Sequence, residues 1–274
     1  GVSYRAGPRC SVHIVDEHAY SLGTMGNLFC FAAATGEIVW QKDLNADYAI
    51  AMPIWGISAS PVIEGELLIV PVSGKDAYLV AFDRKTGKEK NMPLACATPL
   101  LHGDQLFLTA FYDGCALLQL DQDKTAVKEV WRRRGQNERR TDGLHSIIST
   151  PIALGEHVYG VDSYGEFRCL ALADGSRVWE DKTAVPSSRW ATIHFVKNGD
   201  NVWMFNERGE LLISKLTPKG FEEIDRSKLI EPTRGQLNRR GGVCWSHPAF
   251  AYKHVFARND KELVCADLTA PKSK

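Results

Sequence analysis

The chain repeats two short phrases at a nearly constant spacing, and this periodicity constrains its fold more than any other feature. Residues 59–70 read ASPVIEGELLIV, and closely similar runs occupy residues 97–108 and 149–159. A second phrase, at residues 26–40, returns at residues 165–179. Repeats of this kind indicate an array in which one supersecondary unit buries its face against the next.

Each unit predicts four short strands separated by glycine turns. A Ser/Thr-Pro strand is followed by a turn at Gly65, Gly103, Gly155 or Gly199, and these glycines are separated by 38, 52 and 44 residues. An apolar strand, a second glycine turn, a third strand and a Thr-Gly or Asp-Gly turn follow. The fourth strand ends in tryptophan in several units. A period of about 40–50 residues is typical of a four-stranded propeller blade.

The repeat therefore predicts an all-β fold, a β-propeller built from six recognisable units within one domain spanning residues 1–274. We prefer a closed ring to a linear solenoid, because radial repetition leaves only short, protected edges. Units five and six are degenerate. The predicted units are residues 9–44, 58–90, 97–134, 149–182, 191–225 and 243–268.

Composition excludes some functional classes. The formal net charge is zero, which argues against a nucleic-acid partner. No apolar run approaches the ~20 residues that span a bilayer. Of seven cysteines, Cys30, Cys169 and Cys265 hold equivalent places in their units, so we expect them in the core. We interpret Trp40, Trp131 and Trp179 as packing between blades.

The glycine, cysteine and Thr-Gly…Trp positions of the second phrase resemble the repeat of the pyrroloquinoline-quinone-like (PQQ-like) β-propeller superfamily. The resemblance covers almost the whole chain and is closest to exported PQQ-binding-like repeat proteins of bacteria, including planctomycetes. That superfamily contains quinoprotein dehydrogenases and an outer-membrane assembly lipoprotein. Its members usually have seven or eight blades, so six units are a departure.

The resemblance raises the question of a quinone cofactor. Quinoprotein dehydrogenases hold the quinone with calcium or a lanthanide, a catalytic aspartate and, in many, a disulfide of adjacent cysteines. This sequence has no Cys-Cys pair and no acidic cluster, so we predict no cofactor and no metal, with PQQ and Ca²⁺ as the alternative. Asp83, Asp121 and Asp267 recur after the third strand, where we expect them to cap turns.

The candidate site residues lie in the segments that lead into the blades. Aromatic residues, histidine and arginine at a concave channel mouth suit a protein or glycan partner. The alternative is that these segments pack against neighbouring blades and that the arginine-rich link at 132–140 is a solvated loop. The candidates are Trp55, Arg134, His145, Trp190, Trp245 and His247.

We therefore predict a non-catalytic binding or assembly scaffold, exported to the periplasm or the cell surface. We expect its signal peptide to have been removed or to lie outside this sequence. A PQQ-dependent dehydrogenase, or a truncated piece of one, is the alternative. A sensor or interaction module belonging to a larger protein is a third possibility.

Overall fold

The structure is a computed structural model, and it confirms an all-β chain of β-propeller blades. Its described residues are 10–50, 52, 56–72, 79–90, 98–122, 127–235, 237 and 241–269. They divide into two compact units on either side of the bond between Gly135 and Gln136. That the six blades form one domain stays a prediction.

The first unit contains three antiparallel sheets of four strands each, blades 1 to 3, in which consecutive strands are neighbours. Blade 1 is followed by one short helix, α1 (Leu44–Tyr48), which the sequence analysis did not predict and which the Asp43 carboxylate caps. The strands are β1 (His13–Val15), β2 (His18–Leu22), β3 (Asn27–Ala32) and β4 (Ile38–Asp43) in blade 1; β5 (Val62–Glu64), β6 (Leu67–Pro71), β7 (Leu79–Asp83) and β8 (Glu89–Lys90) in blade 2; β9 (Leu100–His102), β10 (Gln105–Ala110), β11 (Gly114–Leu120) and β12 (Val127–Arg133) in blade 3.

The second unit contains two four-stranded sheets, blades 4 and 5, and a sheet with three strands among its described residues, blade 6. The strands are β13 (Ile152–Leu154), β14 (His157–Val161), β15 (Phe167–Ala171) and β16 (Arg177–Asp181) in blade 4; β17 (Ile193–Asn198), β18 (Asn201–Asn206), β19 (Glu210–Thr217) and β20 (Gly220–Lys228) in blade 5; β21 (Ala249–Ala251), β22 (His254–Arg258) and β23 (Leu263–Asp267) in blade 6. The predicted units contain these strands, except that β20 continues to Lys228.

The predicted glycine turns have the backbone conformation that favours glycine. Gly65, Gly103, Gly155 and Gly199, which join the first two strands of blades 2 to 5, all have φ between +56° and +61°. Gly209 has a second constraint, because a Cβ atom there would lie 2.0 Å from the carbonyl oxygen of Ile230.

Packing between blades has a constant polarity. We call the face of a blade that packs on the next blade in the chain its forward face, and the opposite face its backward face. Forward Tyr20 and Cys30 of blade 1 share a buried cluster with backward Leu68 and Phe82 of blade 2. The same arrangement joins blades 2 and 3, blades 4 and 5, and blades 5 and 6. The apolar core is therefore a series of such joints.

Two of the three tryptophans predicted to pack between blades, Trp40 and Trp179, lie in these joints, and for Trp131 this stays a prediction. The Trp40 indole of blade 1 donates a hydrogen bond to the carbonyl of Arg84 in blade 2 (3.0 Å). The Trp179 indole of blade 4 donates to the carbonyl of Thr217 in blade 5 (2.8 Å). Each indole also packs on a forward tyrosine of its own blade, Tyr20 or Tyr159.

One of the three equivalent cysteines is not in the core. Cys30 and Cys169 are fully buried, as predicted, but Cys265 is exposed, so that prediction was wrong. The physical reason is its position: Cys265 lies on the forward face of blade 6, which is open to solvent.

The recurring aspartates cap turns at the two positions where the contacts are described. The Asp83 carboxylate accepts hydrogen bonds from the backbone N–H groups of Lys85 and Thr86. Asp267 accepts from the backbone N–H and the hydroxyl of Thr269. This confirms the prediction for both residues.

Candidate functional site

The segment that leads into blade 6 places Trp245 beside a buried carboxylate. The backbone N–H of Cys244 donates to the carbonyl of Glu207 (2.8 Å), which fixes this segment against the turn between β18 and β19. The Glu207 side chain then reaches two donors, the Ser188 hydroxyl at 2.9 Å and the Trp245 indole N–H at 3.4 Å. Glu207 is 2% exposed, so these bonds replace lost hydration and hold both partners.

A pair of histidines lies on the other side of Trp245. His194, buried on β17, donates its Nε2–H to the Trp245 carbonyl (2.9 Å), and its ring centroid lies 4.7 Å from that of exposed His247. Burial, together with the nearby His247, lowers the pKa of His194 to about 3. His194 is therefore neutral near pH 7 and acts as a fixed hydrogen-bond donor.

Trp190 lies in the segment that leads into blade 5. Its backbone N–H donates to the carbonyl of Ser163 (2.8 Å), the same kind of link that Cys244 makes one blade later. Trp190 has a φ of +68°. The guanidinium of Arg189 lies 4.9 Å from the Trp190 ring and 3.5 Å from the Glu138 carboxylate.

A second cation–aromatic pair lies next to the first. The guanidinium of Arg139 lies 5.0 Å from the Tyr164 ring, and its Nε donates to the Tyr164 hydroxyl (3.2 Å). The backbone carbonyl of Tyr164 accepts from Ser188 N–H and from the Ser187 hydroxyl, which connects this pair to the segment before blade 5.

These contacts define one continuous surface, which we call the blade 4–6 loop surface. The segments that lead into blades 5 and 6 each contribute two of its residues, three of its members were predicted, and all of these contacts lie within the second unit. Its members are Arg139, Tyr164, Arg189, Trp190, Trp245 and His247.

His145 is also in the second unit but is not part of this surface. Its side chain is fully buried, and its backbone N–H donates to Asp162 Oδ1 (2.5 Å). Asp162 pairs with the buried guanidinium of Arg168 (2.9 Å), which also donates to the Gly143 carbonyl (2.7 Å). The predicted His145 therefore belongs to the buried anchor of the link between blades 3 and 4.

The two remaining candidates lie elsewhere. Arg134 is in the first unit, where it forms an exposed ion pair with Asp113 (3.2 Å). Trp55 lies outside the described residues.

Sequence reasoning missed His194, Glu207, Asp162 and Arg168. Glu207 had a signal in the repeat, because it stands two residues before the turn glycine of its blade, as Thr24 and Ser163 do in blades 1 and 4. Asp162 and Arg168 had no such signal, since they become neighbours only through the β14–β15 pairing.

The described part of the chain contains no group of three or more His, Cys, Asp or Glu side chains placed to hold a metal ion. None of its helices is long and apolar enough to cross a membrane. The loop surface instead offers cation–aromatic pairs and hydrogen-bond donors on a fixed backbone.

Comparison with protein families gives a match over nearly the entire chain. The model of the family described as outer membrane protein assembly factor BamB matches residues 4–186 and 122–273. No curated protein sequence matches this chain significantly.

Solved structures share the fold at low sequence identity. BamB from Moraxella catarrhalis has a TM-score of 0.58 at 16% identity, covering 96% of this chain and 70% of that one. The β-propeller domain of Cps50 (Swd1) from Myceliophteria thermophila has a TM-score of 0.63 at 12% identity, covering 97% and 85%. Quinohemoprotein alcohol dehydrogenase from Comamonas testosteroni has a TM-score of 0.55 at 11% identity, covering 92% and 51%. At these identities the likeness shows the fold alone.

Proposed function

Because this chain belongs to the family of the outer membrane protein assembly factor BamB, we propose that it is a non-catalytic scaffold that binds a protein partner. The family description refers to assembly at the outer membrane, and this supports a location in the periplasm or at the cell surface. The function is binding, and the blade 4–6 loop surface is the place where it occurs.

The observation that carries this proposal is the pair of adjacent cation–aromatic contacts, Arg139 with Tyr164 and Arg189 with Trp190. Arginine and aromatic side chains dominate the binding energy of protein interfaces. Here they stand on neighbouring blades and are connected through the backbone carbonyl of Tyr164.

The charge of this surface indicates what kind of segment it would bind. Arg139 and Arg140 are exposed, and Trp245 and Arg189, which pairs with Glu138, are half-buried. The carboxylates of Asp162 and Glu207 are buried, so the exposed arginines outnumber the carboxylates that solvent reaches here. A guanidinium presents a planar fork of donors that matches a carboxylate. The favoured partner segment is therefore acidic, with aromatic or apolar residues that pack on Tyr164 and Trp190.

The surface is also held in place before any partner arrives. Glu207 fixes Ser188 and Trp245, and Asp162 with Arg168 fixes the link that carries Arg139. Preorganised side chains lose less conformational entropy on binding, which favours affinity.

The test is binding of fluorescein-labelled peptides of about 12 residues, measured by fluorescence anisotropy. The probes are an acidic peptide rich in Glu and Phe, a basic peptide rich in Lys and Phe, and a neutral oligosaccharide. We expect the acidic peptide to bind, and Arg139→Glu with Arg189→Glu to weaken it at least about tenfold, since each lost charged contact costs about 1 kcal/mol or more.

The matched control is Arg132→Glu, which changes an exposed arginine of the first unit that pairs with Glu129. We expect this variant to bind the acidic peptide as the unchanged chain does. Equal binding of the acidic and basic peptides would refute the charge argument, and binding of the oligosaccharide alone would indicate a glycan partner instead.

The second candidate is a quinone-dependent dehydrogenase, favoured by the similarity to quinohemoprotein alcohol dehydrogenase. The chain covers only 51% of that enzyme, so its activity does not transfer with the fold. Titration with pyrroloquinoline quinone, with and without Ca²⁺, while following tryptophan fluorescence distinguishes the two functions. Saturable, calcium-dependent quenching at micromolar quinone would replace the scaffold with the enzyme.

A further inference from the structure

We propose that His194 and His247 together bind one divalent transition-metal ion, Cu²⁺ or Zn²⁺, where the chain leads into blade 6. The inference goes beyond the proposed function, because it concerns a metal site and not a protein partner. It also differs from the prediction, made from the sequence, that the chain holds no metal. It rests on the orientation of two imidazole rings and on the distance between them, and both rings belong to the second unit.

Each of the two rings is held by a hydrogen bond to a backbone carbonyl. His194 Nε2 lies 2.9 Å from the Trp245 carbonyl oxygen, and His247 Nδ1 lies 2.7 Å from that of Pro248. A carbonyl oxygen can only accept, so both of these nitrogens carry a hydrogen. Metal-binding histidines are held in the same way, since the ring N–H that faces away from the metal donates to a carbonyl or carboxylate and fixes the tautomer.

The other nitrogen of each neutral ring carries a lone pair that can bind a metal. These nitrogens are Nδ1 of His194 and Nε2 of His247, and neither has a hydrogen-bond partner among the described residues. Burial, together with the nearby His247, lowers the pKa of His194 to about 3. A proton therefore does not compete for the His194 lone pair near pH 7.

The spacing of the two rings matches a single shared ion. Their centroids lie 4.7 Å apart, and the rings are inclined at 53° to each other. A metal–nitrogen bond of about 2.0–2.1 Å places each ring centroid about 3.2 Å from the ion. At ligand angles of about 90–110°, two rings on one ion have centroids about 4.5–5.2 Å apart. The observed separation lies within this interval, so binding requires little movement of either ring.

The two rings differ in exposure, which sets the route to the site. His194 lies on β17 and is 4% exposed, whereas His247 is exposed. An ion therefore reaches His194 past the His247 ring, and water completes its coordination. The buried carboxylate of Glu207, which contacts the Trp245 indole at 3.4 Å, contributes negative charge beside the residue that holds His194.

Two imidazole nitrogens also select the class of metal. Neutral imidazole suits Zn²⁺, Cu²⁺ and Ni²⁺, whereas Ca²⁺ and Mg²⁺ require oxygen ligands. Because the affinity of a nitrogen site is highest for Cu²⁺, we expect Cu²⁺ to bind more tightly than Zn²⁺ and Ca²⁺ not to bind here. The two histidines are 53 positions apart in sequence, and nothing in the repeat pattern connects them.

The test is binding of Cu²⁺, Zn²⁺ and Ca²⁺ to the metal-free chain near pH 7, measured by isothermal titration calorimetry. Thiolates also bind the first two ions, so Cys10, Cys96 and Cys265 are replaced by serine in the parent chain. We expect one site for Cu²⁺ and Zn²⁺, whose Kd is at least about tenfold higher in His247→Ala and in His194→Gln. Electron paramagnetic resonance of bound Cu²⁺ should show two nitrogen ligands in the parent chain and one in His247→Ala.

Folding of the variants is checked by circular dichroism. His247 is exposed, so His247→Ala should fold and keeps the test decisive even if His194→Gln does not. The matched control is His254→Ala. His254 Nδ1 lies 2.7 Å from the carbonyl oxygen of Tyr252, and the ring contact of His254 is with Phe256 and not with a second histidine. This variant should bind Cu²⁺ as the parent chain does.

Two results would overturn the proposal. One is the absence of Cu²⁺ binding to the parent chain. The other is an equal Cu²⁺ affinity in the parent chain and in His247→Ala, which would indicate an adventitious ion only. Peptide binding at the loop surface is measured in the presence of EDTA, so the failure of one proposal leaves the other intact.

Discussion

Blades 4 and 6 carry the same residue pattern on their forward faces, yet one face is buried and the other is open. In blade 4, Tyr159 is paired across the sheet with Cys169, and each is at most 1% exposed. In blade 6, the equivalent Phe256 is half-buried and Cys265 is exposed. Blade 5 packs on Tyr159 and Cys169, whereas solvent reaches Phe256 and Cys265.

This difference shows that the burial of a residue on the face of a blade depends on the sheet packed against that face as well as on the sequence of the blade itself. An apolar residue at a forward position contributes to stability in proportion to the area that its neighbour covers. The same kind of side chain is therefore a core residue in blade 4 and a solvent-exposed residue in blade 6.

The largest contrast is expected in thiol reactivity. In a background with Cys10 and Cys96 replaced by serine, Cys265 should react with Ellman's reagent in the native protein, at least about 1000-fold faster than Cys169. Burial raises the pKa of Cys169 to about 11, which removes the reactive thiolate near pH 8, and modification also requires local opening. Loss of the fast phase on Cys265→Ser confirms the assignment. A fast phase that survives this substitution contradicts it.

The next effect concerns the charges buried in blade 4. Arg168→Met leaves Asp162 buried without its guanidinium, and we expect a loss of about 3–5 kcal/mol in the free energy of unfolding, measured by urea denaturation. The combined Asp162→Asn and Arg168→Met variant should recover much of that loss, because no uncompensated charge remains. Asn259→Ala, at the equivalent turn position of blade 6, removes neutral hydrogen bonds to the Glu231 carbonyl and to the N–H groups of Lys261 and Glu262, and should cost about 1–2 kcal/mol. Equal losses of unfolding free energy in Arg168→Met and Asn259→Ala would show that the buried charge pair of blade 4 matters no more for stability than the turn of blade 6.

The repeat and its strands could be predicted from the sequence, whereas the packing between blades could be predicted only in part. The glycine positions, the unit bounds and the roles of Trp40 and Trp179 follow from local patterns, because turns and alternating strands depend on neighbouring residues. The exposure of Cys265 does not, since it depends on whether another sheet packs there. The buried positions of His145 and Asp162 were unpredictable for a similar reason, because the partners come from separate strands and links.

The candidate site shows the same limit. Trp190, Trp245 and His247 were identified from their places before the first strands of blades 5 and 6. Arg139 and Tyr164, which complete the surface, are 25 residues apart in sequence and meet through a side-chain contact. Nothing in the periodic pattern links them.

The aromatic residues of the forward faces give the third effect. Trp179→Ala in blade 4 removes an indole that contacts Phe167 and donates to Thr217, and we expect a loss of about 2–4 kcal/mol in the free energy of unfolding. Phe256→Ala in blade 6 should cost about 1 kcal/mol, because solvent already reaches that ring. Urea denaturation measures both losses. A larger loss for Phe256→Ala would mean that its face is covered within one chain.

The smallest effect concerns the packing of blade 6 against blade 5. His194 donates from a buried position to the Trp245 carbonyl, and its pKa of about 3 lies below the value of about 6.5 in an unfolded chain. The unfolded state therefore binds a proton that the folded state excludes, so stability is complete above about pH 6.5 and falls as the pH decreases toward 3. Between pH 6 and pH 4, the unchanged chain should lose about 2 kcal/mol more than His194→Gln, whose amide can still donate to the carbonyl. Urea denaturation across this pH range measures the difference between the two curves. Parallel curves would mean that His194 accepts a proton within the folded chain, and that the lead-in segment of blade 6 opens without unfolding.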